Sequence, residues 1–179
     1  RYGDAAIVVL ARSGGEGDDL SRRMDEREGG GTYLQLTTQE KEMLQLIRDS
    51  GAFGKTIVLV NSCNAMELGF LDEARYGIDA CIWMGQAQET YGTEGLVNIL
   101  SGKVNPSGRL VDTVYMDNLI NPVMMNYGAI DGDLSGVDQA LVDEVKNENY
   151  TYNNNPQGDF WEDSVVYQEG IYLGYKYYE

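Results

Sequence analysis

The run DAAIVVLA at residues 4–11 constrains the fold most, because it is continuously apolar and rich in β-branched side chains. A strand of this kind is typical of a parallel sheet that is buried on both faces. We predict further strands at 55–62, 78–85 and 109–115, separated by helices at 37–50, 65–77 and 93–102. Alternating strands and helices predict an α/β fold, here a three-layer sandwich with a mostly parallel sheet of five or six strands.

The helices carry recognisable start and stop signals. Thr37 or Thr38 is a suitable N-cap for the first helix, and Gly51 a suitable end. Its spacing of apolar residues predicts one inward face formed by Met43, Leu44 and Ile47. In the second predicted helix, the inward residues are Met66, Phe70 and Leu71. The third ends at Gly102 and is followed by a turn at 105–108.

Composition excludes several classes of function. Thirteen basic and 29 acidic residues give a net charge of −16, which repels nucleic acid and anionic lipid, so we expect neither as a partner. The absence of histidine excludes Ser-His-Asp and Cys-His catalysis, leaving carboxylates as the main acid–base groups. Cys63 and Cys81 are too few and too far apart for a disulfide framework and are expected to be buried free thiols. We expect no metal and no cofactor.

We predict a single domain over 1–179, with a core at about 1–115, an extended loop region at about 116–164 and a tyrosine-rich closing segment at 165–179. No stretch is long and apolar enough for a membrane helix, and no signal peptide is visible. These features favour a cytoplasmic location. Secretion stays an alternative because the sequence begins at Arg1, which suggests a piece of a longer chain.

The segment SGGEGDD at 13–19 directly follows the first strand and is the principal candidate site. It matches no phosphate-binding motif, and its carboxylates would repel a phosphate. Glu16, Asp18 and Asp19 are suitable ligands for Mg²⁺, although such residues in a turn are more often solvated. The remaining alternative is a catalytic carboxylic acid, Glu16, presented where ligands bind in open α/β sheets. Trp83 is expected in the core, and Trp161 is a candidate ligand contact.

Several segments together resemble glycoside hydrolase family 3, the β-glucosidase family, in its C-terminal α/β sandwich domain. The matching pieces, in the order of the family, are AIVVLARSGGEGDD, YLQLTTQEKEMLQLI, KTIVLVNSCNAMEL, NPSGRLVDT and VYQEGIYLGYKYYE. The pairing of NPSGRL with EGIYLGYKYY is more specific than any single glycine motif. The stretch GQAQETYGTEG at 85–95 is longer than the corresponding turn of the family.

The resemblance implies a retaining β-glycosidase in which Glu16 is the general acid/base and Asp18, Asp19 and Arg12 shape or screen the loop. It also implies that the nucleophile lies on a (β/α)8 barrel, which needs ~250 residues and is absent from this chain. The expected partners are therefore a β-linked glucoside or oligosaccharide substrate and that barrel. The chain alone is expected to be inactive. Two alternatives stay open: a non-catalytic carbohydrate-binding or interaction module, and a flavodoxin-like nucleotide-binding or regulatory domain.

Overall fold

A parallel sheet of three strands forms the centre of the computed structural model, which describes residues 3–12, 33–85, 87, 92–118, 170–172 and 175–176. The strands are β1 (Ala6–Ala11), β2 (Thr56–Asn61) and β3 (Ala80–Trp83), paired in the order β1-β2-β3. The predicted α/β class and parallel sheet are confirmed. Within the described ranges the sheet has three of the five or six strands that we predicted.

One face of the sheet carries the hydrophobic core. The register places Val8 beside Val58 and Leu10 beside Val60, and all four side chains are buried. They pack with Leu36, Leu44, Met66, Phe70 and Tyr76, which come from the connections between the strands. Right-handed crossovers between neighbouring parallel strands bring both connections to the same face, which is why their apolar residues meet there.

Helix α1 (Thr38–Ser50) has the predicted bounds and caps. The Thr37 hydroxyl accepts the backbone N–H of Glu40, and the Glu40 carboxylate accepts the backbone N–H of Thr37, forming a capping box. Gly51 ends the helix at φ 57°, a left-handed conformation that favours glycine. Leu44 is fully buried and Ile47 packs against the core, whereas Met43 is exposed and lies at the border of the inward face.

The helix predicted at 65–77 is wrong. Only a 3₁₀ turn forms there, over Gly69–Asp72. The backbone N–H groups before it bond to distant or very near carbonyls: Glu67 donates to Leu34, Leu68 to Tyr115, and Met66 to Asn64. These three bonds tie the start of this stretch to other parts of the chain. The prediction of inward side chains is confirmed, because Met66 and Phe70 are buried and Leu71 packs against the core.

The chain after β3 differs from the prediction in part. Helix α2 covers Thr93–Leu100, and Gly102 follows it at φ 73°, close to the predicted end. The predicted turn at 105–108 and strand at 109–115 are not formed, and the backbone there is irregular. Val111 is fully exposed, and Asp112 accepts the N–H of Thr113, a local bond that competes with strand pairing.

Strand β1 is not buried on both faces as predicted. Ile7 and Val9, which alternate with the buried Val8 and Leu10, are 52% and 54% exposed. The described elements pack on the core face, so the opposite side of this strand is left open to solvent by them. No helix among the described residues has the length and apolar character needed to cross a membrane.

Candidate functional site

All three strands end at the same side of the sheet, here called the carboxyl edge, where ligands of parallel α/β folds commonly bind. Arg12 follows β1 directly, and the connection after β2 begins with Ser62. Glu40 lies in the first turn of α1, which starts at this edge. The strands are parallel and are joined by crossover connections, so their C-terminal ends all lie at one edge of the sheet.

Arg12 is the most highly connected side chain of the edge. Its Nε donates to the Tyr33 carbonyl at 2.6 Å, and Nη2 donates to the Gln35 carbonyl at 2.6 Å. Nη1 donates to the Ala11 carbonyl at 2.8 Å. Both terminal nitrogens bind the Glu40 carboxylate, at 2.7 and 2.8 Å. A guanidinium has five N–H donors, so these five hydrogen bonds use all of them.

The ion pair between Arg12 and Glu40 is largely withdrawn from water, with side chains 5% and 17% exposed. Burial by itself raises the pKa of Glu40, but the hydrogen bonds and charge of Arg12 and the backbone N–H of Thr37 outweigh it. The pKa of Glu40 consequently lies below its ordinary value of 4.5. Glu40 is thus a charged structural group at neutral pH, fixed by a two-pronged contact that also orients the guanidinium.

Glu67 is a second buried carboxylate at this edge, with the opposite pKa shift. Burial raises its pKa above 4.5, helped by the charge of Asp117, although the backbone N–H of Asn118 and the side chain of Gln35 oppose the change. Glu67 Oε1 accepts the Asn118 N–H at 2.9 Å and Gln35 Nε2 at 3.4 Å. The charge of Lys41 also lowers the pKa, but burial outweighs it, and among the described residues no cation forms an ion pair with Glu67, so it retains its proton to higher pH.

Further hydrogen bonds join neighbouring segments of the edge. The Asn118 amide donates to the Ala65 carbonyl at 2.8 Å, and the Trp83 indole N–H donates to the Ser62 carbonyl at 3.0 Å. Ser62 is fully buried, and its hydroxyl donates to the Asn64 carbonyl and accepts the N–H of Asn64. The core position predicted for Trp83 is confirmed, because its ring packs against the hydrophobic core.

The principal site residues of the sequence prediction, Glu16, Asp18 and Asp19, lie outside the described residues, as does Trp161. Arg12 is described, and its predicted role of shaping or screening the loop stays a prediction. Glu40 completes the capping box of α1, and its side chain is largely withdrawn from water. Glu67 and Asn118 were missed, and the only sequence signal for Glu67 is a single acidic residue inside the apolar stretch AMELGF.

The cysteines differ from the prediction. Both are free thiols, but Cys63 is exposed at the carboxyl edge rather than buried. Cys81 is half-buried, and burial raises its pKa to about 11, which keeps the thiol protonated at neutral pH. Among the residues with a described position, no group of three or more Cys, Asp or Glu side chains is arranged to hold a metal ion.

The whole of this fold matches one protein family. The family model for the glycosyl hydrolase family 3 C-terminal domain matches residues 1–175. The chain therefore belongs to this family. It is 36% identical over 135 residues to a β-glucosidase of Ruminococcus albus, and 26% identical over 194 aligned positions to β-glucosidase A of Butyrivibrio fibrisolvens.

These relatives are much longer than the chain. The matches cover 75% and 99% of this chain but 13% and 19% of the two bacterial β-glucosidases. Among solved structures, β-glucosidase 3B from Thermotoga neapolitana in complex with glucose is similar, with a TM-score of 0.62 and 25% identity. That match covers 98% of this chain and 19% of the solved chain. The likeness supports the α/β fold and the family assignment.

Proposed function

We propose that this chain supplies the general acid/base, Glu16, to the active site of a retaining β-glucosidase. The observation that carries the proposal is the family match over 1–175, together with 36% identity to a protein named β-glucosidase. The position of the segment supports it as well. Residues 13–19 follow Arg12 directly in the sequence, and Arg12 lies at the carboxyl edge, where parallel α/β sheets commonly bind their ligands.

The chemistry requires a second carboxylate outside this chain. In a retaining glycosidase, one carboxylate attacks the anomeric carbon while a carboxylic acid protonates the departing oxygen, and the two lie ~5–5.5 Å apart. The same acid, now deprotonated, then removes a proton from the water that hydrolyses the covalent glycosyl-enzyme. We assign the acid/base role to Glu16 and the nucleophile to a (β/α)8 barrel domain. The substrate is a β-linked glucoside.

The decisive experiment replaces Glu16 in the complete protein. Glu16→Ala should lower kcat/KM for an alkyl β-glucoside by about 10²–10⁴-fold, since its poor leaving group needs protonation. A dinitrophenyl β-glucoside, whose leaving group departs without a proton, should lose far less at the bond-breaking step. Azide, which needs no general base, should restore turnover of the glycosyl-enzyme.

Asp18→Ala is the matched control, because it removes a carboxylate from the same segment and should leave both substrates nearly unaffected. Glu16→Ala with unchanged kinetics on both substrates would refute the assignment. Sugar binding that does not depend on Glu16, without hydrolysis, would favour the carbohydrate-binding alternative. As part of the same proposal, the purified chain alone should not hydrolyse an aryl β-glucoside, and turnover without a partner would contradict the shared site.

A further inference from the structure

We propose that Arg12 is a positioning residue that fixes both ends of the segment 13–32 and thereby sets where Glu16 is presented. This inference rests on the proposed function for the role of Glu16. The clamp itself is derived from described residues on either side of that segment. Arg12 is the last described residue before it, and Tyr33 is the first described residue after it.

The near end of the segment is fixed by the sheet. Ala11 pairs with Asn61 in the parallel register, and the Arg12 backbone N–H donates to the Asn61 carbonyl at 3.3 Å. The Arg12 side chain then folds back on its own strand, donating to the Ala11 carbonyl. The backbone that leads into the segment therefore starts from a defined position and direction at the carboxyl edge.

The far end is fixed by three successive carbonyl groups. Arg12 donates hydrogen bonds to the carbonyl oxygens of Tyr33 and Gln35, at 2.6 Å each. The Leu34 carbonyl between them accepts the backbone N–H of Glu67 at 2.8 Å. Leu36, the next residue, is buried in the core. One guanidinium thus holds together the described residues on both sides of the segment.

The geometry excludes a direct role of Arg12 in binding substrate. All five of its donors are committed within the protein, two of them to Glu40, and its side chain is only 5% exposed. Lysine cannot replace it, because an ammonium group has three donors and lacks the planar fork that binds a carboxylate and two carbonyls together. The effect of Arg12 on catalysis must therefore pass through the position of other groups.

Arg12→Lys in the complete protein tests the proposal, since it keeps the charge opposite Glu40 and is more conservative than removal of the side chain. Misplacement of an acid by about 1 Å can cost 10²-fold in rate. We expect Arg12→Lys to lower kcat for the alkyl β-glucoside about tenfold or more. The dinitrophenyl β-glucoside should change by less than about threefold in the bond-breaking step, with KM for both nearly unchanged.

Lys55→Met is the matched control. It removes a cation from an ion pair of the same 2.7 Å length at the opposite edge of the sheet and should leave both substrates unaffected. A merely structural role of Arg12 would lower the rates on the two substrates equally, in proportion to lost folded protein, and would overturn the inference. Unchanged rates would overturn it too.

Measuring Glu16→Ala in the same series separates the two proposals. If Glu16→Ala shows the dependence on leaving group and Arg12→Lys does not, only the positioning role fails. If Glu16→Ala lacks that dependence, the proposed function fails and the positioning role fails with it. We expect both variants to lose more rate on the alkyl than on the dinitrophenyl β-glucoside, with the smaller loss in Arg12→Lys.

Discussion

The two edges of the parallel sheet each carry an ion pair with a 2.7 Å contact, and the surroundings of these pairs differ completely. At the carboxyl edge, the side chains of Arg12 and Glu40 are 5% and 17% exposed and take part in six hydrogen bonds with the backbone and each other. At the opposite edge, Lys55 and Asp79 are 64% and 34% exposed. Distance alone therefore says little about what an ion pair contributes.

The difference follows from solvent and from geometry. Water screens the Lys55 ammonium, and a single ammonium contact on a flexible stem gains little net free energy at a surface. The buried pair has the opposite balance, because removing one partner leaves the other charge unpaired in a poorly solvated place. Asp79 still contributes locally by accepting the backbone N–H of Thr56 at 2.8 Å. We therefore expect the buried pair at the carboxyl edge to contribute more to stability than the exposed pair.

The largest expected effect on stability is that of Arg12→Met. It removes the Arg12 hydrogen bonds to the Glu40 carboxylate and to the carbonyls of Tyr33 and Gln35, and it leaves the Glu40 charge without its cation. We expect the free energy of unfolding to fall by about 3–5 kcal/mol, the typical cost of breaking a buried pair by removing one partner. Urea denaturation followed by circular dichroism measures this. A loss below about 1 kcal/mol would mean that the Arg12–Glu40 pair contributes no more to stability than an exposed ion pair.

A smaller effect, which depends on pH, is expected for Glu67→Gln. The folded state raises the pKa of Glu67, so its contribution to stability is fully present below pH 4.5 and is lost as pH rises through the folded pKa. Glutamine keeps the acceptor for the Asn118 N–H but does not titrate. The variant should therefore be relatively more stable at pH 7 than at pH 4, as measured by thermal unfolding across this range.

Glu40→Gln is the matched comparison within the same edge, because the pKa of Glu40 is lowered in the folded state. Its contribution is present above pH 4.5 and is lost as pH falls through the folded pKa. The deficit of Glu40→Gln should therefore be greatest at pH 7 and shrink in acid. Parallel pH dependences for Glu40→Gln and Glu67→Gln would contradict the opposite pKa shifts of the two carboxylates.

The smallest effect is expected for Lys55→Met at the opposite edge. Asp79 keeps its backbone hydrogen bond to Thr56 and remains accessible to water, so the loss of the ammonium leaves no buried charge. The urea midpoint should stay close to that of the unchanged protein. A shift approaching that of Arg12→Met would remove the contrast between the two edges.

Local signals in the sequence predict much of the fold. Helix α1 is bounded by Thr37 and Gly51, whose roles depend on neighbouring residues, and both positions are confirmed. The three strands are short apolar runs and are also confirmed, although each is shorter than predicted by one or two residues at one or both ends. The strand predicted at 109–115 is not formed. Its β-branched residues favour an extended backbone, but they do not indicate whether a neighbouring strand is available for pairing.

The errors at the carboxyl edge have the same origin. Where a helix was predicted at 65–77, the N–H groups of Glu67 and Leu68 bond to the carbonyls of Leu34 and Tyr115, contacts that local sequence signals do not reveal. Arg12 was recognised only as a loop residue, since its acceptors on Tyr33, Gln35 and Glu40 lie 21 to 28 positions away. Glu16, the central residue of the candidate site, stays a prediction.

The exposed side chains of β1 bear on how copies of the chain interact in solution. Ile7 and Val9 expose apolar side chains, which favour contact between copies. The net charge of −16 repels other copies. Repulsion between dissolved charges extends ~30 Å at 0.01 M ionic strength and ~8 Å at 0.15 M. We therefore expect added salt to weaken the repulsion between copies of this chain.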